Sequence, residues 1–167
     1  MHFIFVVMEV LYSTGYQSPI GWFRLSCTDH GLCEAQFTDE INRHDAHSIL
    51  SDTIIQLDEY FSNQRTEFTI PLHFTGTDFQ QKIWRLLLNI PFGKTLSYLQ
   101  MARLAGDEKV IRAAASANGK NPLAIIVPCH RVIGSDGSLT GYAGGLWRKK
   151  WLLEHEYIIA KQGSFIF

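Results

Sequence analysis

In the heptapeptide Ile125-Ile126-Val127-Pro128-Cys129-His130-Arg131, three aliphatic residues run through a proline into a thiol, an imidazole and a guanidinium. A thiol is a nucleophile only as its thiolate, and a free one with a pKa of about 8.5 is mostly protonated near neutrality. His130 can take that proton, and Arg131 adds positive charge that favours the anion if it lies near the sulfur. The aliphatic run reads as a buried strand that delivers the sulfur to its end. Neighbours on a strand point to opposite faces, so His130 would serve Cys129 only through a turn or a bridging water. Pro128 permits such a departure from a ladder. The same pattern also suits a small hydrophobe packed at a strand end, so the heptapeptide by itself leaves nucleophile and packing residue open.

Composition narrows the setting. A chain of 167 residues, 46% hydrophobic and 19% charged, has the makings of a cored globular protein with one ordinary domain or two small ones. The apolar start Phe3–Met8 lacks a basic flank and a cleavage site and is cut short by Glu9, so it reads as a strand. No run approaches the ~20 apolar residues of a membrane span, and no membrane partner is expected. Three cysteines, an odd number, argue for a reducing, cytoplasmic setting without a disulfide framework. The net charge of −1 hides a division: residues 1–77 hold three basic against ten acidic side chains, and residues 78–156 hold eleven basic against six acidic. A polyanion would be drawn to the half that carries Cys129.

The elements that position the thiol follow from pattern. Trp22–Cys27 and Leu32–Phe37 read as strands, separated by the turn sequences Ser18-Pro19-Ile20-Gly21 and Asp29-His30-Gly31, which predicts a small antiparallel sheet. Cys27, Cys33 and His30 lie there, but no pair at zinc spacing completes a ligand set, so no metal is expected. His44 and His47 fall in a polar loop and read as solvated. Ser48 to about Asn63 carries apolar residues at helical spacing, and Phe68-Thr69-Ile70 is a candidate further strand. Pro71 through Gly76 reads as the connection between halves, giving an N-terminal unit over 1–76, a second unit over 77–157 and a tail over 158–167.

The second unit reads as helical. Thr77 or Asp78 caps a helix through Phe79, Ile83, Trp84, Leu87 and Leu88, which Pro91-Phe92-Gly93 stops. Ser97 caps a short helix closed by Gly106, and a third runs from Lys109 to about Asn118, the pattern of a helix-turn-helix. On that third helix Val110, Ala113, Ala114 and Ala117 share one side, expected to be inward. Arg112, Ala115, Ser116 and Gly119 share the other, one arginine on a nearly bare face that a backbone or groove can approach closely. Gly141-Tyr142-Ala143-Gly144-Gly145 suits the lining of a pocket for a flat ligand, and Trp147–Glu156 reads as an amphipathic helix ending in an acid. The fold class expected is therefore α+β: a small antiparallel sheet with a helix, then a helical domain with the helix-turn-helix and the cysteine.

Asn121-Pro122, Pro128-Cys129-His130-Arg131-Val132 and Gly141-Tyr142-Ala143-Gly144-Gly145-Leu146, in that order and spacing, strongly resemble the O6-alkylguanine-DNA alkyltransferases over roughly residues 78–156. Ser18-Pro19-Ile20-Gly21 through Gly31-Leu32 resembles that family's N-terminal hairpin. The resemblance implies that Cys129 is the alkyl acceptor, activated through a water by His130, whose other nitrogen Glu156 orients, while Asn121 holds the flanking segments. It further implies that Arg112 enters the duplex in place of a flipped nucleotide, and that Tyr98 helps turn the base out and can protonate the departing guanine. By the same resemblance Tyr142 and Ala143 line the pocket, and Ser135 contacts base or backbone. The implied protein is a monomer without cofactor that acts once on O6-alkylguanine, and on O4-methylthymine, in double-stranded DNA. Cys129, His130 and Glu156 would equally serve a turnover cysteine hydrolase, a reading the helix-turn-helix and the charge division disfavour.

Overall fold

The computed structural model describes residues 9–163. The strand expected over Phe3–Met8 lies outside the described residues. Three strands, β1 (Tyr12–Ser18), β2 (Gly21–Thr28) and β3 (Gly31–Phe37), form an antiparallel sheet in the order β1-β2-β3. Both expected turns close it. Strand β1 escapes the pattern reading because Tyr-Ser-Thr-Gly-Tyr-Gln-Ser has little apolar alternation. Phe23, Leu25, Cys27, Leu32 and Ala35 are buried under the sheet. Helix α1 (Ser48–Phe61) covers that core, with Leu50, Thr53, Leu57 and Tyr60 inward at helical spacing.

Two expectations in this half are corrected. His47 is not solvated: its ring nitrogen accepts the Ile49 N–H at 3.2 Å as the cap of α1, and its other nitrogen faces Asp29 at 3.2 Å. Phe68-Thr69-Ile70 is not a strand, because the side chain of Gln56 takes the Thr69 N–H at 2.8 Å, where a ladder partner would be. The segment instead touches the sheet through one bridge between Leu32 and Leu72. A Cβ on Gly31 would sit 2.7 Å from the Pro71 carbonyl oxygen, so glycine is required for that approach. Burial pushes the Cys27 thiol up to about 11, and Cys33 donates to the Ser26 carbonyl at 3.4 Å. Among the described residues no three His, Cys, Asp or Glu side chains converge as a metal site.

The second half is helical as expected. Thr77 and Gln80 form a capping box at α2 (Asp78–Leu87), and Ser97 and Gln100 form another at α3 (Tyr98–Leu104). Gly106, at φ +110, turns the chain toward a 3-10 turn at Glu108–Val110 that leads into α4 (Ile111–Gly119). The third helix thus starts later than expected, because Asp107 caps the tighter turn through the Lys109 N–H at 2.8 Å. Ala114 and Ala117 are buried as read, but Ala113 is exposed and Asn118 is buried in its stead. Trp84 of α2 donates to the Ala117 carbonyl at 2.9 Å and ties α2 to α4.

Two-residue strands β4 (Leu96–Ser97) and β5 (Val132–Ile133) pair in parallel. Helix α5 (Leu146–Gly163) closes the described chain, so the break drawn between residues 157 and 158 falls inside a helix. The buried apolar residues form one cluster, from Phe23 and Leu25 through Ile83 and Leu87 to Val127, Val132 and Leu152. The halves also meet along β3. Ala35 donates its N–H to the Pro122 carbonyl and accepts from the Ala124 N–H, each at 2.8 Å. That junction sets the segment carrying Cys129 against the sheet.

Candidate active site

Residues 123–127 were expected as a strand; they form a turn. Only Leu123 bridges to Ala35, after which the Val127 N–H returns to the Leu123 carbonyl at 2.9 Å. The carboxamide of Asn121 replaces the missing ladder. Its Nδ2 donates to the carbonyls of Val127 at 2.8 Å and Leu123 at 3.3 Å, and its Oδ1 accepts the Leu123 N–H at 3.0 Å. Ile125 adopts φ +72 in this turn, a conformation costing a β-branched residue on the order of 1–3 kcal/mol, offset here by complete burial of its side chain. Pro128, at φ −81 and ψ 61, makes an inverse γ-turn closed by the Cys129 N–H on Val127. Cys129–Arg131 is then a 3-10 turn, so the thiol and imidazole are not on opposite faces of a strand.

Behind the thiol lies a buried ionic cluster around Glu156 of α5. Its Oε1 is 2.7 Å from His130 Nε2 and accepts from Tyr60 at 2.8 Å. Arg131 grips the same carboxylate through Nε at 2.8 Å and Nη2 at 2.9 Å, and spends Nη1 on the Ile90 carbonyl at 2.6 Å. Burial by itself would raise the Glu156 carboxyl, but His130 and Arg131 outweigh it and hold it well below the usual carboxylate range. Burial lowers the His130 pKa, so the imidazole is neutral and Arg131 supplies the permanent charge. An ionised carboxylate only accepts, so the proton of His130 sits on Nε2 and Nδ1 keeps its lone pair. Nδ1 is buried and has no protein partner.

Cys129 is 6% exposed, and burial raises its thiol pKa. Asn121, the ammonium of Lys149 and the backbone N–H groups of Cys129 and His130 oppose that rise. Lys149 is a functional candidate the sequence reading missed. Fully buried on α5, it donates to the carbonyls of Thr140 at 3.1 Å and Gly141 at 3.3 Å, with the Tyr98 hydroxyl at 3.5 Å. Its signal was the spacing of Lys149, Leu152 and Glu156, three and four apart, which puts all three on one helix face.

A small cavity of about 70 Å³ lies over Cys129, between Asn118 and Gly119 of α4 on one side and Gly141–Gly144 on the other. Gln36 and Phe37 of β3 complete it, a contribution from the N-terminal half not expected from sequence. It adjoins a wider cleft of about 460 Å³ lined by Tyr98, Arg112, Ala115 and Thr140, with Asn118, Gly119, Gly141 and Tyr142 common to both. Arg112 is exposed on this cleft, and the Tyr98 hydroxyl donates to the Thr140 carbonyl at 2.9 Å. Tyr142 and Ala143 line the inner cavity. Ser135 sits in an exposed turn and lines neither space.

The loop 141–145 is pinned by Arg148. Its Nη1 donates to the Gly144 carbonyl at 2.8 Å and its Nε to the Ile20 carbonyl at 2.7 Å, while the guanidinium lies 4.2 Å from the centre of the Phe37 ring. A Cβ on Gly144 would meet that ring at 2.6 Å, so only glycine lets the loop lie against β3.

This arrangement of a buried thiol, a neutral imidazole with a free lone pair, and an opening beside a helix-turn-helix can be set beside known proteins. Residues 11–74 match the ribonuclease-like domain, and residues 78–158 the DNA binding domain, of 6-O-methylguanine DNA methyltransferase. The methylated-DNA–protein-cysteine methyltransferase of Mycobacterium leprae is 42% identical over 153 residues, covering 88% of this chain and 93% of that one. The Mycobacterium bovis protein of the same name is 54% identical over 106 residues, 64% of either chain. The crystal structure of the Mycobacterium tuberculosis O6-methylguanine methyltransferase superposes with a TM-score of 0.81 at 40% identity, over 89% of this chain and 94% of that one. A structure of the Mycobacterium tuberculosis protein in complex with DNA gives 0.81 at 42% identity, with the same coverage. On its two matched domains and on relatedness over nearly its whole length, this chain belongs to the 6-O-methylguanine DNA methyltransferase family.

Proposed function

We propose that this protein repairs DNA by moving the alkyl group of an O6-alkylguanine onto its own Cys129, once per molecule and without a cofactor. The observation that carries the reading is the lone pair of His130 Nδ1, buried beside the cysteine turn with Glu156 fixing the opposite nitrogen. Nδ1 accepts the thiol proton by way of a water, and the imidazolium that forms is stabilised by the carboxylate behind it. The sulfur attacks the saturated carbon: the S–C bond forms, the C–O6 bond breaks, its electrons pass to the departing guanine as the C6 carbonyl re-forms, and a ring nitrogen of that guanine takes a proton from Tyr98. The product is a thioether, whose C–S bond a water beside a neutral imidazole does not hydrolyse. Each molecule is therefore spent.

The base must leave the stack to reach the cavity, at a cost of about a few kcal/mol that a poorly paired lesion reduces. Arg112, exposed on α4 at the cleft, fills the gap it leaves. Tyr98 crowds the rotating phosphate, Asn121 holds the turn beneath Cys129, Tyr142 and Ala143 bound the base, and Ser135 meets the backbone at the rim. Double-stranded DNA is the partner of a monomer, O4-methylthymine a further substrate, and the cytoplasm the setting. Among the described residues no helix is long and apolar enough to cross a membrane. The hydrolase reading of Cys129, His130 and Glu156 finds no support among the relatives, which are named methylated-DNA–protein-cysteine methyltransferases.

Transfer of labelled methyl from O6-methylguanine in duplex DNA, followed to completion with peptide mapping, tests the proposal. One equivalent fixed on Cys129 is expected, with Cys129→Ser binding DNA but taking no label. Continued turnover, or an unlabelled folded protein, would overturn it.

A further inference from the structure

The carboxylate behind His130 is held from both halves of the chain. Among the described residues Tyr60, in the last turn of α1, is the one side chain of the N-terminal half that hydrogen-bonds to it, its hydroxyl donating to Glu156 Oε1 at 2.8 Å. That side chain is completely buried, and its ring lies among Phe68, Phe92 and His155, at 5.5, 6.1 and 5.3 Å between ring centres. The Tyr60 backbone is fixed as well, because its carbonyl accepts from His155 Nε2 at 3.1 Å. A buried tyrosine hydroxyl normally finds some partner. What sets this one apart is the oxygen it meets. Glu156 Oε1 already takes His130 Nε2 at 2.7 Å and Arg131 Nη2 at 2.9 Å, enough for the lone pairs of one carboxylate oxygen, while Oε2 has Arg131 Nε at 2.8 Å and only the longer Gly93 N–H at 3.4 Å. Tyr60 is therefore a third donor on the oxygen that orients the base. Burial and the charge of Glu156 push its phenol well above the usual range, so it remains a donor throughout the working pH range.

We propose that Tyr60 is a positioning residue through which the N-terminal half sets the strength of His130 as a base. This rests on the alkyl-transfer reading above and goes beyond it by giving α1 a part in the proton transfer. Once His130 Nδ1 has taken the thiol proton, the imidazolium leans on Oε1 through Nε2. Electron density that Oε1 gives to the Tyr60 hydroxyl is withheld from that imidazolium. The hydroxyl thus weakens the base, and without it His130 holds a proton more firmly. The other titratable or charged groups facing this cluster are Arg131 and Cys129 of the cysteine turn, Tyr142 of the loop before α5, and Lys149 and His155 of α5. All of them remain when the hydroxyl alone is removed.

Tyr60→Phe keeps the ring and removes the hydroxyl; 3-fluorotyrosine placed at position 60 keeps the hydroxyl and makes it a stronger donor. For each protein the rate constant of the single methyl transfer is measured across the range in which histidine titrates, with duplex DNA carrying O6-methylguanine in saturating excess so that it reports the step after binding. Transfer requires a neutral His130, so the rate falls on the acid side as the imidazole is protonated. In Tyr60→Phe that acid limb is expected to move toward higher pH by about half a unit to one unit, the size of one hydrogen bond acting on one protonation state. With 3-fluorotyrosine it moves the other way. The ring-proton NMR signal of His130 in the DNA-free protein titrates with the same displacements, whether or not methyl is transferred. A rate lowered by one factor at every pH, with the limb and the NMR titration unmoved, would overturn the proposal and leave Tyr60 as a packing residue. A limb moved to lower pH in Tyr60→Phe would overturn it too. Should Tyr60→Phe not fold, the fluorinated protein decides, and an unmoved His130 titration there overturns the proposal. A His130 titration displaced as expected in a protein that takes no methyl would uphold the hold of Tyr60 on His130 and be the failure of the alkyl-transfer reading alone.

Discussion

Arg131 and Glu156 face each other inside the protein through two hydrogen bonds, Nε to Oε2 at 2.8 Å and Nη2 to Oε1 at 2.9 Å. Because a guanidinium keeps its charge, the carboxylate stays ionised without drawing a proton from its other neighbour. His130 is thereby free to remain neutral, as the proposed role of base toward the thiol requires.

Glu156→Gln tests that pairing. The substitution leaves Arg131 as a buried, uncompensated charge and replaces an acceptor facing His130 and Tyr60 with an amide, a loss of about 3–5 kcal/mol of stability. Urea unfolding should show a clearly lower midpoint. An unchanged midpoint would mean that Arg131 finds its charge balance elsewhere.

Acid should weaken the fold in a defined window. Both His130 and Glu156 have pKa values lowered in the folded protein, so the unfolded chain binds more protons than the folded one as pH falls. The His130 contribution is complete above about pH 6.5 and declines below it; that of Glu156 declines below about 4.3 and is lost through its depressed folded value. Urea midpoints should be flat from about pH 7 to 8 and fall steadily from about 6.5 to 4. Greater stability on acidification would contradict the assignment of a neutral His130.

Lys149→Met should move the pH dependence of alkyl transfer. The ammonium opposes the effect of burial on the Cys129 thiol, so its removal raises the thiol pKa and displaces the rate profile toward alkaline pH. A profile lowered at every pH without displacement would show that Lys149 acts only by holding the carbonyls of Thr140 and Gly141.

Arg112→Ala should separate base extrusion from chemistry. The side chain stands on the cleft 17 positions before the nucleophile and lines none of the inner cavity. Repair in duplex DNA should fall at least about tenfold more than reaction with free O6-benzylguanine, since only the former must be unstacked. Equal losses would remove Arg112 from that role.

The hairpin strands β2 and β3, both capped helices and the break at Gly106 could be read in the chain because each rests on local chemistry: turn residues, caps and apolar spacing. The turn carrying Cys129 could not. Ile125-Ile126-Val127 has the composition of a buried strand, and what prevents one is a single carboxamide, Asn121, which answers three backbone groups at once. Ala113 and Asn118 exchange places for a similar reason: α4 begins after a 3-10 turn, which rotates its faces relative to a helix counted from Lys109. Spacing puts Lys149 on one helix face with Glu156, but the docking of α5 on the cysteine turn, like the bridge of Ala35 to Leu123 that brings Phe37, pairs distant parts of the chain. Spacing along the sequence does not encode those.

Arg148 reaches the Ile20 carbonyl across 128 positions of sequence, and Tyr60 reaches Glu156 across 96. Contacts of such separation carry a loop-closure cost that rises slowly with the length of chain between them and are of the non-local kind that slows folding. The strut that completes the acceptor site thus depends on the β1–β2 hairpin, whose Ile20 carbonyl it grips. Because α5 carries both Glu156 and Lys149, a molecule whose α5 is undocked lacks the partner of His130 and the cation beside Cys129, and its single equivalent of repair capacity stays unspent until the two halves are joined.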